Sequence, residues 1–402
     1  METERFIDDV GGAAVLLQKG GLVAVPTETV YGLAGNGLDE NAVREIYEVK
    51  GRPERKPLAL MVPGAEAMER YCEAIPTAAK ALAARFWPGP LTIVLKARDL
   101  VPEIVRAGGA TVGLRCPDHP MTLELLRLAG IPFAAPSANP SGAPSPKTAE
   151  EVLSYFDGKI AGVVDGGPCG IGRESTLIDM SAAPYRILRQ GALSAEELAD
   201  ALVECITLVG VTGGSGCGKT TALEALKAHG ALVIDCDRVY HELLESSQEL
   251  LNELASIFPD AFIEGKLDRK RLGSIVFADE TALQRLNTVT HRYVGIAVQE
   301  RLRIWAMQGG TLAAIDAIEL ISSGLAARCD YTVCVLAERE TRIRRIMERD
   351  GISREYAELR IDAQRPDEYF RENCTVVVEN NADRESFLYH MNQMIEERLK
   401  HG

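Results

Sequence analysis

One eight-residue run carries the most specific chemistry in the chain. Gly213-Gly214-Ser215-Gly216-Cys217-Gly218-Lys219-Thr220 fits G-x-x-x-x-G-K-[ST]. Glycines let backbone N–H groups close around phosphate oxygens, and a helix beginning there adds its positive end. In such a loop Lys219 reaches the β/γ-phosphates and the Thr220 hydroxyl ligates Mg²⁺. Asp235 and Asp237 follow at the carboxyl end of the next apolar run. Ligands of doubly wound sheets bind at such ends, and a carboxylate there can orient or deprotonate an attacking hydroxyl. The same pair could instead cap the helix that follows. Arg342, Arg345 and Arg349, spaced i, i+3, i+7, share one helix face, which fits either a lid over a triphosphate or a solvated charged surface.

The first half holds looser constellations. Lys50-Gly51-Arg52 puts two cations on one face if that segment is extended, and Pro136-Ser137-Ala138-Asn139 does the same for a hydroxyl and an amide. Pro26-Thr27-Glu28-Thr29-Val30-Tyr31-Gly32-Leu33 sets polar side chains beside a rigid proline. Together they suggest an anion site; singly, each also fits a solvated pair or a turn.

The elements around these residues differ between the halves. Up to about residue 200 the pattern predicts a helix over 6–19 and strands over 22–25, 91–95, 111–114 and 133–135. Helices over 78–85 and 122–128 lie between them, giving an α/β domain with a twisted mixed sheet. A helix over 194–204, with Ser194 and Glu197 at capping-box spacing, leads into an apolar strand over 206–211. From there strands (232–234, 312–315, 332–335) alternate with helices, as in a doubly wound parallel sheet. The domains expected are 1–200 and 206–402, without a Gly/Ser or Pro-rich linker.

Composition narrows the field. The chain has 402 residues, 46% hydrophobic and 25% charged, which excludes a disordered chain, a collagen and a coiled-coil rod. No apolar run approaches a membrane span, and Met1-Glu2-Thr3-Glu4-Arg5 lacks the apolar core of a secretory signal. A cytoplasmic protein without membrane partners is expected. The net charge is −14, and both halves are acidic, which disfavours binding nucleic acid through its phosphates. Nine cysteines without a C-x-x-C pair point to reduced thiols rather than disulfides or zinc.

Residues 206–402 resemble the dephospho-coenzyme A kinase family. The resemblance is carried by the 212–221 loop, Ile234-Asp235-Cys236-Asp237-Arg238-Val239-Tyr240-His241, Arg271-Leu272-Gly273-Ser274-Ile275-Val276-Phe277, the 345–351 run and Arg360-Ile361-Asp362-Ala363-Gln364. It implies ATP-dependent phosphorylation of the ribose 3′-hydroxyl of dephospho-CoA, with Asp237 as general base. It also implies Asp235 and His241 beside the acceptor, Arg345 and Arg349 in a lid, and Mg²⁺ as cofactor. Where the family reads Pro-Leu-Leu-aromatic-Glu, this chain has Ile318-Glu319-Leu320-Ile321-Ser322. A kinase for another small hydroxyl acceptor, or a nucleotide-binding regulatory module, is the alternative.

Residues 10–195 resemble the threonylcarbamoyl-AMP synthase (YrdC-like) family, through Pro26–Leu33, Lys50-Gly51-Arg52-Pro53, Trp87-Pro88-Gly89-Pro90-Leu91-Thr92, Pro136-Ser137-Ala138-Asn139, Glu174-Ser175-Thr176 and Leu188-Arg189-Gln190-Gly191. The resemblance implies that L-threonine, bicarbonate and ATP are joined into L-threonylcarbamoyl-AMP with release of pyrophosphate. The product would serve modification of adenosine 37 in tRNA through a separate transferase. By position, Thr29, Arg115 and Ser175 are implied as threonine contacts. Arg52, Lys56, Thr111, Ser137, Ser145 and Arg189 are implied as ATP contacts, and Lys50, Arg52, Ser137 and Asn139 as the catalytic cluster.

Overall fold

The computed structural model describes residues 2–399 and divides into two units. One runs to Cys205 and takes in Met307–Gly309; the other holds the rest from Ile206 onward.

In the first unit, eleven strands among the described residues form one mixed sheet. Its central part runs Gly32–Asn36, Phe133–Ala134, Ala59–Met61, Thr111–Arg115, Leu91–Ala97, Thr176–Asp179. The predicted strands at 22–25, 91–95, 111–114 and 133–135 are all present, the second extended to Ala97. The helix expected over 6–19 is shorter, Gly11–Gln18, and Glu4–Phe6 is instead a strand parallel to Gly162–Val164. The cause is a pairing 158 positions away, Glu4 opposite Gly162, that local periodicity cannot register. Gly12 makes room for it, since a Cβ there would lie 2.7 Å from the Phe6 ring. Val10, Leu17, Val23, Val25, Leu125 and Phe133 pack as one buried cluster beneath the sheet. The helix Ala195–Val203 begins with the expected capping box: Ser194 N donates to Glu197 Oε2 at 2.7 Å, and Glu197 N donates to Ser194 Oγ at 3.1 Å.

The second unit is built on five parallel strands in the order Leu232–Asp235, Leu312–Asp316, Thr207–Thr212, Tyr331–Leu336, Val376–Glu379. Nearly continuous Val, Ile and Ala in these strands reflects burial on both faces. Val209, Val211, Val333 and Val335 pack against Leu226 of the helix Lys219–Ala228 and against Phe387 and Met391 of the helix Arg384–Leu399. A second, helical cluster of Leu250, Leu254, Phe258, Leu272 and Val276 stands apart from the sheet. All nine cysteines are free thiols, and no helix among the described residues is long and apolar enough to cross a membrane.

Candidate active sites

In the first unit, period-two alternation decides which side chains meet. Thr111, Gly113 and Arg115 occupy one face of their strand, Thr92 and Val94 one face of the next, and Ala59 and Met61 one face of a third. These faces floor a cavity of about 300 Å³. Arg52, Ser137, Glu174, Ser175 and Arg189 complete its polar wall. Six of the sequence candidates therefore share one cavity: Arg52, Thr111, Arg115, Ser137, Ser175 and Arg189.

The other candidates lie outside the cavity lining. Thr29 Oγ1 accepts from Arg115 Nη2 at 2.8 Å. Ser145 Oγ donates to Glu174 Oε1 at 3.2 Å, and Glu174 Oε2 pairs with Arg189 at 2.6 Å. Lys56 is exposed, and its carbonyl accepts from Tyr47 at 2.9 Å and from Arg52 Nε at 3.4 Å.

Lys50 corrects an expectation. The segment is not extended: Lys50 ends the helix Glu40–Lys50, and Gly51 turns the chain in the left-handed region at φ 60°. The two cations consequently part company. Arg52 reaches the cavity, whereas Lys50 is 3% exposed and donates to the carbonyl oxygens of Ser137 and Asn139. Burial, reinforced by nearby Arg52, pushes the Lys50 ammonium down to about 8. Asn139 is buried with it; its Nδ2 donates to Pro140 O at 2.8 Å and Ala143 O at 2.7 Å, and its Oδ1 has no partner among the described residues.

In the second unit, the strand Thr207–Thr212 delivers the chain into the 213–218 loop and the helix Lys219–Ala228. Gly213 and Gly218 take φ of 136° and 100°, and a Cβ on Gly213 would come within 2.3 Å of Val335 O, so the tight approach needs glycine. Lys219 Nζ donates to Gly213 O at 2.7 Å. The Cys217 side chain is fully buried in the core, leaving only its backbone to the loop. Gly214, Ser215 and Lys219 line a cavity of about 470 Å³ with Glu319, Gln364 and Arg365. Gly216 and Gly218 complete the loop, and Thr220 stands in the first turn of the helix.

Asp235 and Asp316 close adjacent strands, and Asp237 stands in the first turn of the helix that follows Asp235. Asp235 and Asp316 are register partners, and Asp316 pairs in turn with Val211. Asp235 caps the helix Cys236–Ser246, accepting from Arg238 N at 3.0 Å, as the capping alternative expected. Burial, with Asp235 beside it, raises the Asp237 carboxyl above its usual range, opposed by His241 and Lys219. Burial raises Asp316 to about 6, opposed by Lys219 and helped by Asp235 and Asp237.

The arginine face is divided. Arg342, 5% exposed, donates from Nε to Ser215 O at 3.1 Å and from Nη2 to Gln364 Oε1 at 2.8 Å, and Gln364 in turn accepts from Ser215 N at 2.9 Å. Arg345 donates to Gly216 O at 3.4 Å. Arg349 pairs with its neighbour Asp350 at 2.7 Å and is mostly exposed. The face is thus a brace on the loop at one end and a solvated surface at the other.

Oxygen donors of the kind Mg²⁺ prefers, Thr220 and Asp316, stand at this loop. No group of three or more His, Cys, Asp or Glu among the described residues is placed to hold a metal ion.

Residues 15–191 match the Sua5_yciO_yrdC family model, described as telomere recombination, and residues 207–385 match the model described as dephospho-CoA kinase. A putative threonylcarbamoyl-AMP synthase of Mycobacterium tuberculosis is 38% identical over 211 residues, covering 52% of this chain and 96% of that one. A dephospho-CoA kinase of Thermobifida fusca is 38% identical over 179 residues, covering 45% of this chain and 88% of that one. The chain belongs to both families. A threonylcarbamoyl-AMP synthase of Pyrococcus abyssi is 50% identical over 186 residues, 46% of this chain but only 55% of that protein. The chain spans between 49% and 61% of the length of three such synthases.

Within the synthase-family half, sequence reasoning passed over Glu28, Thr92 and Glu174. Thr92 Oγ1 lies 2.8 Å from Ser175 Oγ, and Glu174 lines the cavity. Within the kinase-family half it passed over Asp316, Gln364 and Asn380, whose Nδ2 donates to Cys217 O at 2.8 Å. An aspartate closing an apolar strand was the one available signal, at Asp316.

Proposed function

We propose that the chain is a bifunctional enzyme. Residues 1–200 form L-threonylcarbamoyl-AMP from L-threonine, bicarbonate and ATP, and residues 206–402 phosphorylate the 3′-hydroxyl of dephospho-CoA. The observation that carries this reading is the presence of two phosphate-handling sets of unlike construction. One is a cavity walled by guanidinium groups and hydroxyls; the other is a glycine loop at a helix N-terminus.

In the first reaction the threonine amine and bicarbonate condense with loss of water to N-carboxythreonine, and a carbamate oxygen of it attacks the α-phosphorus of ATP as pyrophosphate leaves. Two anions must be held together. Arg52 and Arg189, with Ser137, Thr111, Lys56 and Ser145, serve the nucleotide; Arg115, Ser175 and Thr29 serve threonine. Fixed cations and donors stabilise charge at the phosphorus, and removing one such donor typically costs about 3–4 kcal/mol. Lys50 acts through the carbonyls of Ser137 and Asn139, holding that loop against the cavity.

In the second reaction the acceptor hydroxyl attacks the γ-phosphorus and ADP leaves. The raised carboxyl of Asp237 is a better base than an ordinary aspartate and takes the proton, with Asp235 and His241 beside it. Lys219 and the loop amides hold the phosphates, with Arg345 behind the loop. Mg²⁺ entering with ATP, held by Thr220 and Asp316, would offset charge on the phosphates. The location proposed is the cytoplasm, and tRNA is reached only through a separate transferase.

A different small hydroxyl acceptor is the second reading, favoured by Glu319. It puts a carboxylate into the loop cavity and accepts from Ser322.

The test uses the purified full chain. Pyrophosphate release should require ATP, L-threonine and bicarbonate together, and ADP should form with dephospho-CoA. Failure of either dependence removes the corresponding activity.

A further inference from the structure

Arg115 is held from behind by a carboxylate that neither resemblance nor spacing assigns a role. Glu28 Oε1 accepts from Arg115 Nη2 at 2.7 Å, and the two side chains are 13% and 8% exposed. The other Glu28 oxygen accepts from Asp118 N at 3.0 Å, so both oxygens are engaged. Arg115 also donates from Nη2 to Thr29 Oγ1 at 2.8 Å and from Nε to Gly89 O at 3.3 Å. Its Nη1 has no partner among the described residues. Arg115 lines the cavity and Glu28 does not. The backbone is fixed as well: Glu28 O accepts from Ile171 N at 2.8 Å, and Thr29 N donates to Thr27 Oγ1 at 3.1 Å.

We propose that Glu28 is the positioning residue for Arg115, turning the Nη1 end of the guanidinium toward the cavity to receive the α-carboxylate of the amino-acid substrate. This inference rests on the assignment of threonine to that cavity. A guanidinium donates within one rigid plane, so its orientation decides whether the remaining Nη1 N–H groups meet the carboxylate oxygens. A free arginine would sweep many rotamers; here the carboxylate, the Thr29 hydroxyl and the Gly89 carbonyl occupy the Nε and Nη2 side and leave the Nη1 side for substrate. Glu28 also supplies charge. Without it, a nearly buried guanidinium would lack its counter-ion, a strongly unfavourable arrangement that the side chain would relieve by reorienting. Glu28 is not displaced by the incoming carboxylate, because the Asp118 amide holds its second oxygen on the far side.

Two variants of the full chain test this, Glu28→Gln and Glu28→Asp. The amide keeps the shape but has one acceptor oxygen for two donors; the aspartate keeps the charge but is one methylene short. Calorimetric binding of L-threonine should weaken at least tenfold in Glu28→Gln and at least threefold in Glu28→Asp. ATP affinity should stay within about twofold of wild type in both. In turnover, KM for threonine should rise at least tenfold in Glu28→Gln with kcat within about threefold. Threonine affinity equal to wild type in either folded variant would overturn the proposal. So would parallel loss of threonine and ATP affinity, the mark of a purely structural residue, or a wild-type chain that does not bind L-threonine. Pyrophosphate release by the wild type separately tests the assigned reaction: a chain that binds threonine but releases none would contradict that reaction and leave the positioning measurable.

Discussion

Lys50 and Arg52 are two residues apart, yet a helix end and one left-handed glycine send them into different surroundings. Arg52 meets the cavity directly, so Arg52→Ala should cut pyrophosphate release at least tenfold with little change in Tm. Lys50 is buried against two carbonyl oxygens, and its loss leaves those acceptors unpaired. Lys50→Ala should cut pyrophosphate release by at least tenfold as well, but with Tm lowered by about 2–4 °C. Rate and thermal melt together separate the two roles; wild-type rates in either variant would remove that residue from the chemistry. The pairing of Lys50 and Arg52 as one cationic face failed because residue spacing depends on the backbone state assumed. A strand puts i and i+2 together, and a helix terminus does not. Glu28 and Glu174 were illegible for another reason. A single carboxylate near cations resembles ordinary solvated surface until the fold shows that it is enclosed or faces a cavity.

At the scale of elements, the parallel strands gather Asp235, Asp237 and Asp316 near Lys219, and the pH behaviour follows. The folded-state value of Asp316, about 6, lies above the 3.8 of an ordinary aspartate, so the protonated form is favoured by folding. Its contribution is fully present below 3.8 and is lost as pH rises from there to about 6, so at neutral pH the charged group costs stability. Asp316→Asn should therefore raise Tm at pH 7.5 by about 2–4 °C, the partial exposure of the group being taken into account, while lowering kinase turnover at least tenfold. A lower Tm in this variant would show that the carboxylate is stabilising. Asp237→Asn should keep ATP binding and lose most ADP formation with dephospho-CoA; collapse of ATP affinity would place Asp237 on the nucleotide instead. The arginine helix makes the complementary case. Arg342→Ala should raise KM for ATP at least tenfold, because its guanidinium holds both Ser215 and Gln364. Arg349→Ala should stay within twofold, since among the described residues that side chain pairs with Asp350 and nothing in the loop. Periodicity disclosed that these arginines share a face, but not what the face packs against. The glycine loop was legible because its chemistry is local and its strand–loop–helix setting is contiguous. The first strand was not, because its partner lies at 162–164.

For the whole molecule, two enzyme families are joined in one chain, and the proposed function requires each half to use its own ATP. Net charge −14 leaves nucleotide affinity to local groups, and each half has a complete set of its own kind: side-chain cations and hydroxyls in one, backbone amides and Lys219 in the other. Sites without shared partners behave additively. The decisive measurement assays both products in two full-length variants, Lys219→Ala and Arg52→Ala. Lys219→Ala should abolish phosphorylation of dephospho-CoA and leave threonylcarbamoyl-AMP formation within about twofold of wild type. Arg52→Ala should lower threonylcarbamoyl-AMP formation at least tenfold and leave CoA formation within about twofold. A folded variant in which either substitution silences both reactions would contradict two independent active sites in this chain.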